Sequence, residues 1–252
     1  MQLDPVAQAA GVRHIALDSA GSTNAEALAR ARAGERGPLW ITAQSQSAGR
    51  GRRGSTWVSP PGNLYATLLM REPSAAEHAP QLSFVTALAL HDAVAECAPQ
   101  LGPMLKMKWP NDLLLGPAKV AGILIEGESE PVFAVAIGIG VNCSAHPKDT
   151  PYPATDLAAA GALVTSAQVF AALSAAMLRR IEQWQRGEGF AGIRADWLKR
   201  AAGLGQDIRV RLPERELSGR FHGLDDAGRL LVHGPGGVTT VTAGEVFGLD
   251  RA

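Results

Sequence analysis

Cysteine is almost missing: Cys97 and Cys143 are the two in 252 residues, both in apolar contexts, with no C-x-x-C and no metal-ligand spacing. A disulfide scaffold is thereby excluded and nothing points to zinc or redox chemistry, so both thiols are read as reduced core residues and no metal site is assigned. Net charge is absent as well, 24 Lys+Arg balancing 24 Asp+Glu. A protein whose main task is to coat nucleic acid needs many more basic side chains than acidic ones, because that binding rests on phosphate contacts. Long apolar runs are missing too. The longest, such as AVAIGIGV at 134–141, fall well short of the ~20 residues of a membrane helix, and the opening MQLDPVAQAAGVR has no apolar signal core, which points to a cytoplasmic chain. Nor is there an internal repeat or a low-complexity tract. With 46% hydrophobic residues, the chain is instead ordinary globular material with enough apolar surface for one good core and a smaller second one.

Periodicity gives the organisation. HIALD (14–18) reads as a short strand, after which Ser22 or Thr23 opens a helix that ends at Gly34. LWITAQSQ (39–46) and LYATLLM (64–70) are β-like, the latter continuously apolar and therefore buried. Residues 80–97 carry Leu82, Val85, Leu88, Ala89 and Ala93 at helical spacing. Three more strands follow at 104–109, 119–128 and 132–143, separated by the turn-rich PNDLLLGPA and ESEP. Residues 166–184 place Phe170, Leu173, Met177, Ile181 and Trp184 on one helix face, with Ser166 as a candidate N-cap, so that this helix covers the sheet. The texture changes after GLGQ (203–206). Short strands IRVRL, LSGRFHGL, RLLVHG and GVTTVTAGEV alternate with Gly, Pro and Asp turns about every ten residues, the pattern of a small β-barrel. The fold class is α+β: a mixed central β-sheet with flanking helices in residues 1–204, and a small β domain in residues 205–252.

Three polar stretches interrupt this apolar pattern. In QSAGRGRRGSTW (46–57), Arg50, Arg52 and Arg53 sit among Gly49, Gly51 and Gly54. Glycine lets backbone N–H groups approach a ligand, and arginine supplies planar donors for phosphate or carboxylate, which suggests an anion site. A solvated surface loop and an RGG-like nucleic-acid segment are the alternatives; a P-loop is not, since no GxxxxGK followed by Ser or Thr occurs. KWPNDLLLGPAKVAGILIE (108–126) gathers Lys108, Asn111, Asp112 and Lys119 around a turn, with Gly122 leaving room on the second strand. The Asn-Asp pair after proline is either turn chemistry or part of a site. Lys119 heads an apolar strand, which places its ammonium at the sheet's edge, facing solvent or a ligand. In DSAGSTNAEA (18–27), Ser22, Thr23 and Asn24 either cap a helix or offer hydroxyls and free N–H groups to a polar ligand head.

In this order and spacing, DSAGSTNAEA, QSAGRGRRGSTW, KWPNDLLLGPAKVAGILIE and AIGIGVNC resemble the motif series of the biotin protein ligases, strongly over residues 13–143. The later helix and the C-terminal strands agree with that family in pattern. The resemblance implies a class II synthetase-like catalytic domain followed by an SH3-like domain. It also implies a two-step, AMP-forming reaction: biotin is activated by ATP with Mg²⁺ to biotinyl-5'-AMP, then transferred to a lysine of a biotin carboxyl carrier protein, the acceptor in acetyl-CoA carboxylase. Ser22, Thr23 and Asn24 would hold the fused-ring head of biotin, with Gln44 nearby. Arg50, Gly51 and Arg52 would lie against the carboxylate and the adenylate phosphate. Lys119 would contact the carboxylate or the acyl-phosphate, and Asn142 would reach the adenine. Trp57 and the strand around Gly122 and Ile123 would bound the valeryl tail.

Arg52, Lys119 and Asp112 are thus the candidate catalytic residues. Asp112 keeps three readings: orienting or deprotonating the incoming lysine, helping to hold Mg²⁺ with phosphate, or an Asx turn after Pro110. No enzyme nucleophile is implied, which suits a sequence whose six histidines (14, 78, 91, 146, 222, 233) lie outside every motif. Ser55 departs from the family, where another basic residue often follows GRGRRG. Only residues 1–13 precede His14, which leaves no room for the DNA-binding domain of the repressor forms and implies an enzyme that does not bind DNA. Monomer and homodimer are both open. The rival readings are a lipoate ligase or octanoyl transferase, disfavoured by KWPND and GRGRRG, a non-catalytic vitamin or nucleotide sensor, and a nucleic-acid module.

Overall fold

The computed structural model describes residues 1–248, so the last four residues of the expected C-terminal domain lie outside the described residues. Seven strands form the main sheet: β1 (Arg13–Ala20), β2 (Leu39–Gln46), β3 (Leu64–Arg71), β4 (Leu105–Lys108), β5 (Asp112–Leu115), β6 (Ala118–Glu128) and β7 (Ala134–Val141). Their order is β1-β2-β3-β7-β6-β5-β4. Only β1 and β2 pair in parallel, because the helix between them carries the chain back along the sheet.

That helix, α2 (Thr23–Arg32), covers one face, where Ala27, Leu28 and Ala31 pack on Leu39, Ile41, Leu69, Ala134 and Ala136. The opposite face carries α3 (Leu82–Cys97), α4 (Ser166–Trp184) and α5 (Phe190–Leu198), with the short α1 (Pro5–Ala9) against α4. Successive residues of β2 serve the two faces, Ile41 under α2 and Trp40 edge-on to Phe170 of α4 at 5.5 Å between ring centres. The spacing expected for α3 holds: Leu82, Val85, Leu88, Ala89 and Ala93 are all fully buried.

The C-terminal strands β8 (Asp207–Arg211), β9 (Glu216–Leu224), β10 (Leu230–Gly234), β11 (Gly237–Val241) and β12 (Glu245–Phe247) form a separate antiparallel sheet, ordered β11-β10-β9-β8-β12, of the expected SH3-like kind. It docks on the helices through the turn between β9 and β10. Gly228 there has φ +80° and lies so close to Phe84 that a Cβ would come within 2.8 Å of its ring. Phe84 in turn packs edge-on to Phe190 and Trp197.

The structure departs from the sequence reading at several points. DLLL is a fully buried strand, β5, where turn chemistry is expected; a four-residue strand between Asn111 and Gly116 is too short to show a period. GVTTVTAGEV is two strands, β11 and β12, broken around Gly244. The N-cap of α4 is Thr165, not Ser166, since Thr165 and Gln168 form a reciprocal capping box. Lys119 is not at the sheet's edge, because β6 lies between β5 and β7. Cys143 is buried and Cys97 partly so, and burial pushes the Cys143 thiol up to about 12.

Candidate active site

On the α2 face the sheet is left open beyond the helix N-terminus, and a cavity of about 640 Å³ fills that space. Its floor is backbone. Gly122 on β6 and Gly138 and Gly140 on β7 present no side chains there, and each is needed. A Cβ on Gly138 would stand 2.4 Å from the Asn24 side chain, and one on Gly140 only 2.5 Å from the Trp57 indole. Over Gly122 the Trp57 ring would be 3.0 Å away. Trp57 therefore lies flat across two strands, dividing the cavity into two ends.

One end is polar and mostly uncharged. Ser22, Thr23 and Asn24 are buried at the start of α2. Ser22 occupies the N-cap position but its hydroxyl makes no capping bond, which leaves it free on the cavity wall. The Thr23 N–H donates to Gln46 Oε1 at 2.8 Å, and the Thr23 hydroxyl lies 3.1 Å from the same oxygen. Thr67 of β3 reaches up between them, its Oγ1 2.8 Å from Thr23 Oγ1 and 2.7 Å from Asn24 Oδ1. Asn24 Nδ2 donates to the Leu124 carbonyl at 3.2 Å and to Glu126 Oε2 at 2.8 Å.

The other end is cationic. Asp112, 6% exposed, is held between two ammonium groups, Lys119 Nζ at 2.6 Å from Oδ1 and Lys108 Nζ at 3.0 Å from Oδ2. Burial by itself would raise the Asp112 carboxyl, but Lys119 and then Lys108 outweigh it and hold the group below the usual carboxylate range. Lys119 is the mirror case: burial alone would lower it, and Asp112 keeps it above its ordinary value. One carboxylate against two ammoniums leaves a net positive charge. Tyr152 lies 5.3 and 5.4 Å from Lys108 and Lys119, and Trp57 5.4 Å from Lys119.

Lys119 reaches this end through a β-bulge. Leu113 pairs with Ala121 and Leu114 with Lys119, so Val120 is an extra residue on β6. In a regular strand Lys119 and Gly122 would face opposite sides; the bulge turns the lysine onto the cavity face while Val120 enters the core.

The Arg/Gly loop closes over both ends as a small folded unit. Gly51 N–H donates to Ser55 O at 2.7 Å and Trp57 N–H to Gly49 O at 2.9 Å. Gly49 cannot carry a side chain, since its Cβ would lie 2.4 Å from Trp57 O. The arginines diverge. Arg50 pairs with Glu126 at 3.1 Å beside the polar end. Arg52 makes longer contacts, 3.3 Å to Asn111 Oδ1 and 3.4 Å to Gly244 O of the C-terminal sheet. Burial and the neighbouring Arg53 lower the Arg52 guanidinium from its usual value.

Ser22, Thr23, Asn24, Arg50, Gly51, Arg52, Trp57, Asp112, Lys119, Gly122 and Asn142 all line this one cavity. Gln44 does not. It is exposed and donates to Asp18 on β1, because β2 leaves β3 after Ala43 and it is the last residue, Gln46, that reaches α2. Gln46, Thr67, Gly138, Gly140 and Tyr152 are further contributors that sequence reasoning passes over, and Lys108, singled out with Asp112 and Lys119, joins them. Thr67 had a signal, as the one polar residue inside LYATLL, and so had the glycines, spaced two apart in an apolar strand.

The cavity suits an elongated ligand with a neutral hydrogen-bonding head, an apolar middle under Trp57 and an anionic end; the Trp57 Nε1 is buried there without a hydrogen-bond partner among the described residues. Among the described residues no group of three or more His, Cys, Asp or Glu is placed to hold a metal ion. With Asp112 already neutralised by lysines, a divalent cation fits here as part of a nucleotide substrate, bound through its phosphates.

Comparison with known proteins agrees with this geometry. The model of the biotin/lipoate A/B protein ligase family matches residues 22–142, and that of the biotin protein ligase C-terminal domain matches residues 203–248. The biotin--[acetyl-CoA-carboxylase] ligase of Paracoccus denitrificans is 45% identical over 239 residues, 90% of this chain and 96% of that protein. The bifunctional ligase/repressor BirA of Bacillus subtilis is 32% identical over 82% of this chain and 65% of its own length. Among solved structures, the biotin protein ligase from Aquifex aeolicus in complex with biotin and ATP shares the fold with a TM-score of 0.77 at 24% identity, over 93% of this chain and 97% of that one. The biotin protein ligase from Leishmania major in complex with biotinyl-5-AMP has a TM-score of 0.66 at 26% identity, over 92% and 99% of the two chains. A cavity with a neutral head pocket and a paired-lysine anion end, carried by a chain nearly half identical to a biotin ligase along almost its whole length, belongs to the biotin protein ligase family.

Proposed function

We propose that this chain activates biotin with MgATP and transfers it to one lysine of a biotin carboxyl carrier protein of acetyl-CoA carboxylase. The observation that carries the reading is the division of one cavity into a neutral, hydrogen-bonding end at Ser22, Thr23 and Asn24 and a cationic end at Lys108, Lys119 and Arg52, with Trp57 between them. The fused-ring head of biotin meets the first end, its valeryl chain lies along Gly122 and Trp57, and its carboxylate reaches Lys119.

In the first step a carboxylate oxygen attacks the α-phosphorus of ATP, the P–O bond to pyrophosphate breaks, and the mixed anhydride forms. Lys119, held in place by Asp112, and the arginines, once the loop has closed, stabilise the charge that accumulates on the phosphate oxygens. In the second step the acceptor amine attacks the acyl carbon and AMP leaves with the bridging oxygen. The Arg/Gly loop excludes water from the anhydride meanwhile. Asp112 acts here as a positioning residue: with both oxygens on ammonium groups and its proton affinity lowered, it is a poor general base for the incoming lysine. Asn142 is assigned to the adenine.

Residues 1–204 form the catalytic domain and residues 205–252 the second domain in this reading, supported by the sheet that begins at Asp207. No helix among the described residues is long and apolar enough to cross a membrane. A cytoplasmic site of action follows from the need for ATP and for a carboxylase acceptor.

The test is acceptor biotinylation: purified protein, biotin, MgATP and a biotin carrier domain, followed by mass, with Arg52→Ala and Lys119→Ala in parallel. A gain of one biotin on a single acceptor lysine, weakened in both variants, supports the assignment. Modification with lipoate or octanoyl donors but not biotin would move the protein to the sister enzymes; no gain with any donor would leave a sensor.

A further inference from the structure

Glu126 lies outside the cavity wall, at the far end of β6 from Lys119, yet one of its oxygens takes both Asn24 Nδ2 at 2.8 Å and Arg50 at 3.1 Å. We infer that Glu126 is a positioning residue that sets the direction of the Asn24–Thr67–Thr23 hydrogen bonds in the head-group pocket, so that Thr23 offers an acceptor to a ring N–H of the ligand. The inference rests on the biotin reading of this cavity.

The direction follows from what each group is able to do. A carboxylate only accepts, and so does the Leu124 carbonyl, the other partner of Asn24 Nδ2. These two fix the Asn24 amide, and its oxygen is therefore the atom that faces Thr67 Oγ1 at 2.7 Å. An amide oxygen only accepts, so the single Thr67 proton is committed to it. Thr67 Oγ1 is then an acceptor toward Thr23 Oγ1, 2.8 Å away. The Thr23 proton has two places to go, Thr67 Oγ1 or Gln46 Oε1, and both are acceptors inside the protein. Gln46 cannot reverse this, because its Oε1 is already fixed by the Thr23 N–H at 2.8 Å and its Nε2 donates to Ser59. What Thr23 has left for the cavity is a lone pair. A cyclic urea carries two N–H donors, and a pocket polarised this way accepts one of them, while an isosteric ring oxygen at that place would meet lone pair against lone pair. Arg50, sharing the same Glu126 oxygen, ties the carboxylate to the loop that closes over the ligand.

If Glu126 becomes Gln, its amide can donate as well as accept, the Asn24 amide is held only by its longer 3.2 Å bond to the Leu124 carbonyl, and the chain of protons loses its firm direction. The pocket then holds biotin and its carbamate analogues, in which one or the other ureido N–H is replaced by O, with less distinction. The experiment is titration calorimetry of biotin and both carbamates against the full chain and against Glu126→Gln, Thr67→Val and Thr67→Ser. A site built to pair a buried N–H discriminates against the analogue lacking it by about 100-fold or more. Glu126→Gln and Thr67→Val are expected to cut that preference by about tenfold, whereas Thr67→Ser, which keeps the hydroxyl, restores it. A role in packing alone would weaken all three ligands by the same factor and leave their ratio unchanged, and that result overturns the inference. A ratio lost in Glu126→Gln but kept in Thr67→Val would also overturn it, since the relay runs through Thr67. Wild-type protein that binds no biotin would sink the ligase reading itself, which is a separate outcome from a wild type that binds biotin without discriminating.

Discussion

Asp112 is the side chain whose removal says most about the cationic end. In Asp112→Asn the carboxylate 2.6 Å from Lys119 and 3.0 Å from Lys108 is replaced by a neutral amide, leaving two buried ammonium groups with no counter-charge between them. Breaking a buried ion pair by deleting one partner costs roughly 3–5 kcal/mol. At about 2–4 °C per kcal/mol for a chain of this size, the melting temperature should fall by roughly 10 °C at neutral pH.

The pH dependence carries the sharper signature. The Asp112 carboxyl is depressed in the folded protein, so its contribution is present above the unfolded carboxyl pKa and is lost as pH falls through the folded one. The stability gap between wild type and variant should therefore narrow in acid. Lys119 is raised in the folded protein, and its contribution is complete below the unfolded lysine pKa and lost as pH rises through the folded value. Without Asp112, burial lowers Lys119 against only the weaker pull of Tyr152 and Glu245, so the alkaline limb of adenylate formation should move to lower pH. Melting curves from pH 3 to 9 and a pH profile of pyrophosphate release measure both effects. An alkaline limb that stays in place, together with a melting-temperature gap that does not change with pH, would refute the account of Asp112 as the group that holds the lysines.

Other outcomes follow from the same geometry. Gly140→Ala brings a methyl to 2.5 Å from the Trp57 indole and should weaken biotin binding by about tenfold or more, at an overpacking cost of roughly 1–3 kcal/mol, measured by calorimetry and thermal melting. Inserting an alanine between Leu113 and Leu114 gives Val120 a partner, removes the bulge and turns Lys119 to the opposite face of β6; adenylate formation should be abolished, while deleting Val120, which leaves Lys119 on the same face as Gly122, should retain it. Biotin with MgATP should protect residues 47–56 from protease, because the long Arg52 contacts to Asn111 and Gly244 hold the loop weakly beforehand. Trp109→Phe removes the indole N–H that donates to Gly228 O at 3.1 Å and should cost about 1–3 kcal/mol, with faster hydrogen exchange at the β9–β10 turn as the readout.

Much of this protein is legible in its residues. Period and composition give the strands and the two long helices, since apolar side chains spaced at two or 3.6 residues leave each element one way to bury them. The polar motifs stand out because GRGRRG, KWPND and STN are the wrong residues for the apolar pattern around them, and the resemblance they carry is what implies the ligand. What the sequence could not fix is which atoms meet. DLLL is a strand because β4 and β6 flank it, and four residues carry no period of their own. Gln44 and Gln46 look equivalent in AQSQ, and only the point at which β2 parts from β3 decides that Gln46 serves the pocket. Lys119 depends on one extra residue in a pairing between strands, and Glu126 matters through Asn24, 102 residues away. Local pattern is set by neighbours along the chain, whereas register, bulges and hydrogen-bond direction are set by partners across the sheet, and those exist only once the chain has folded.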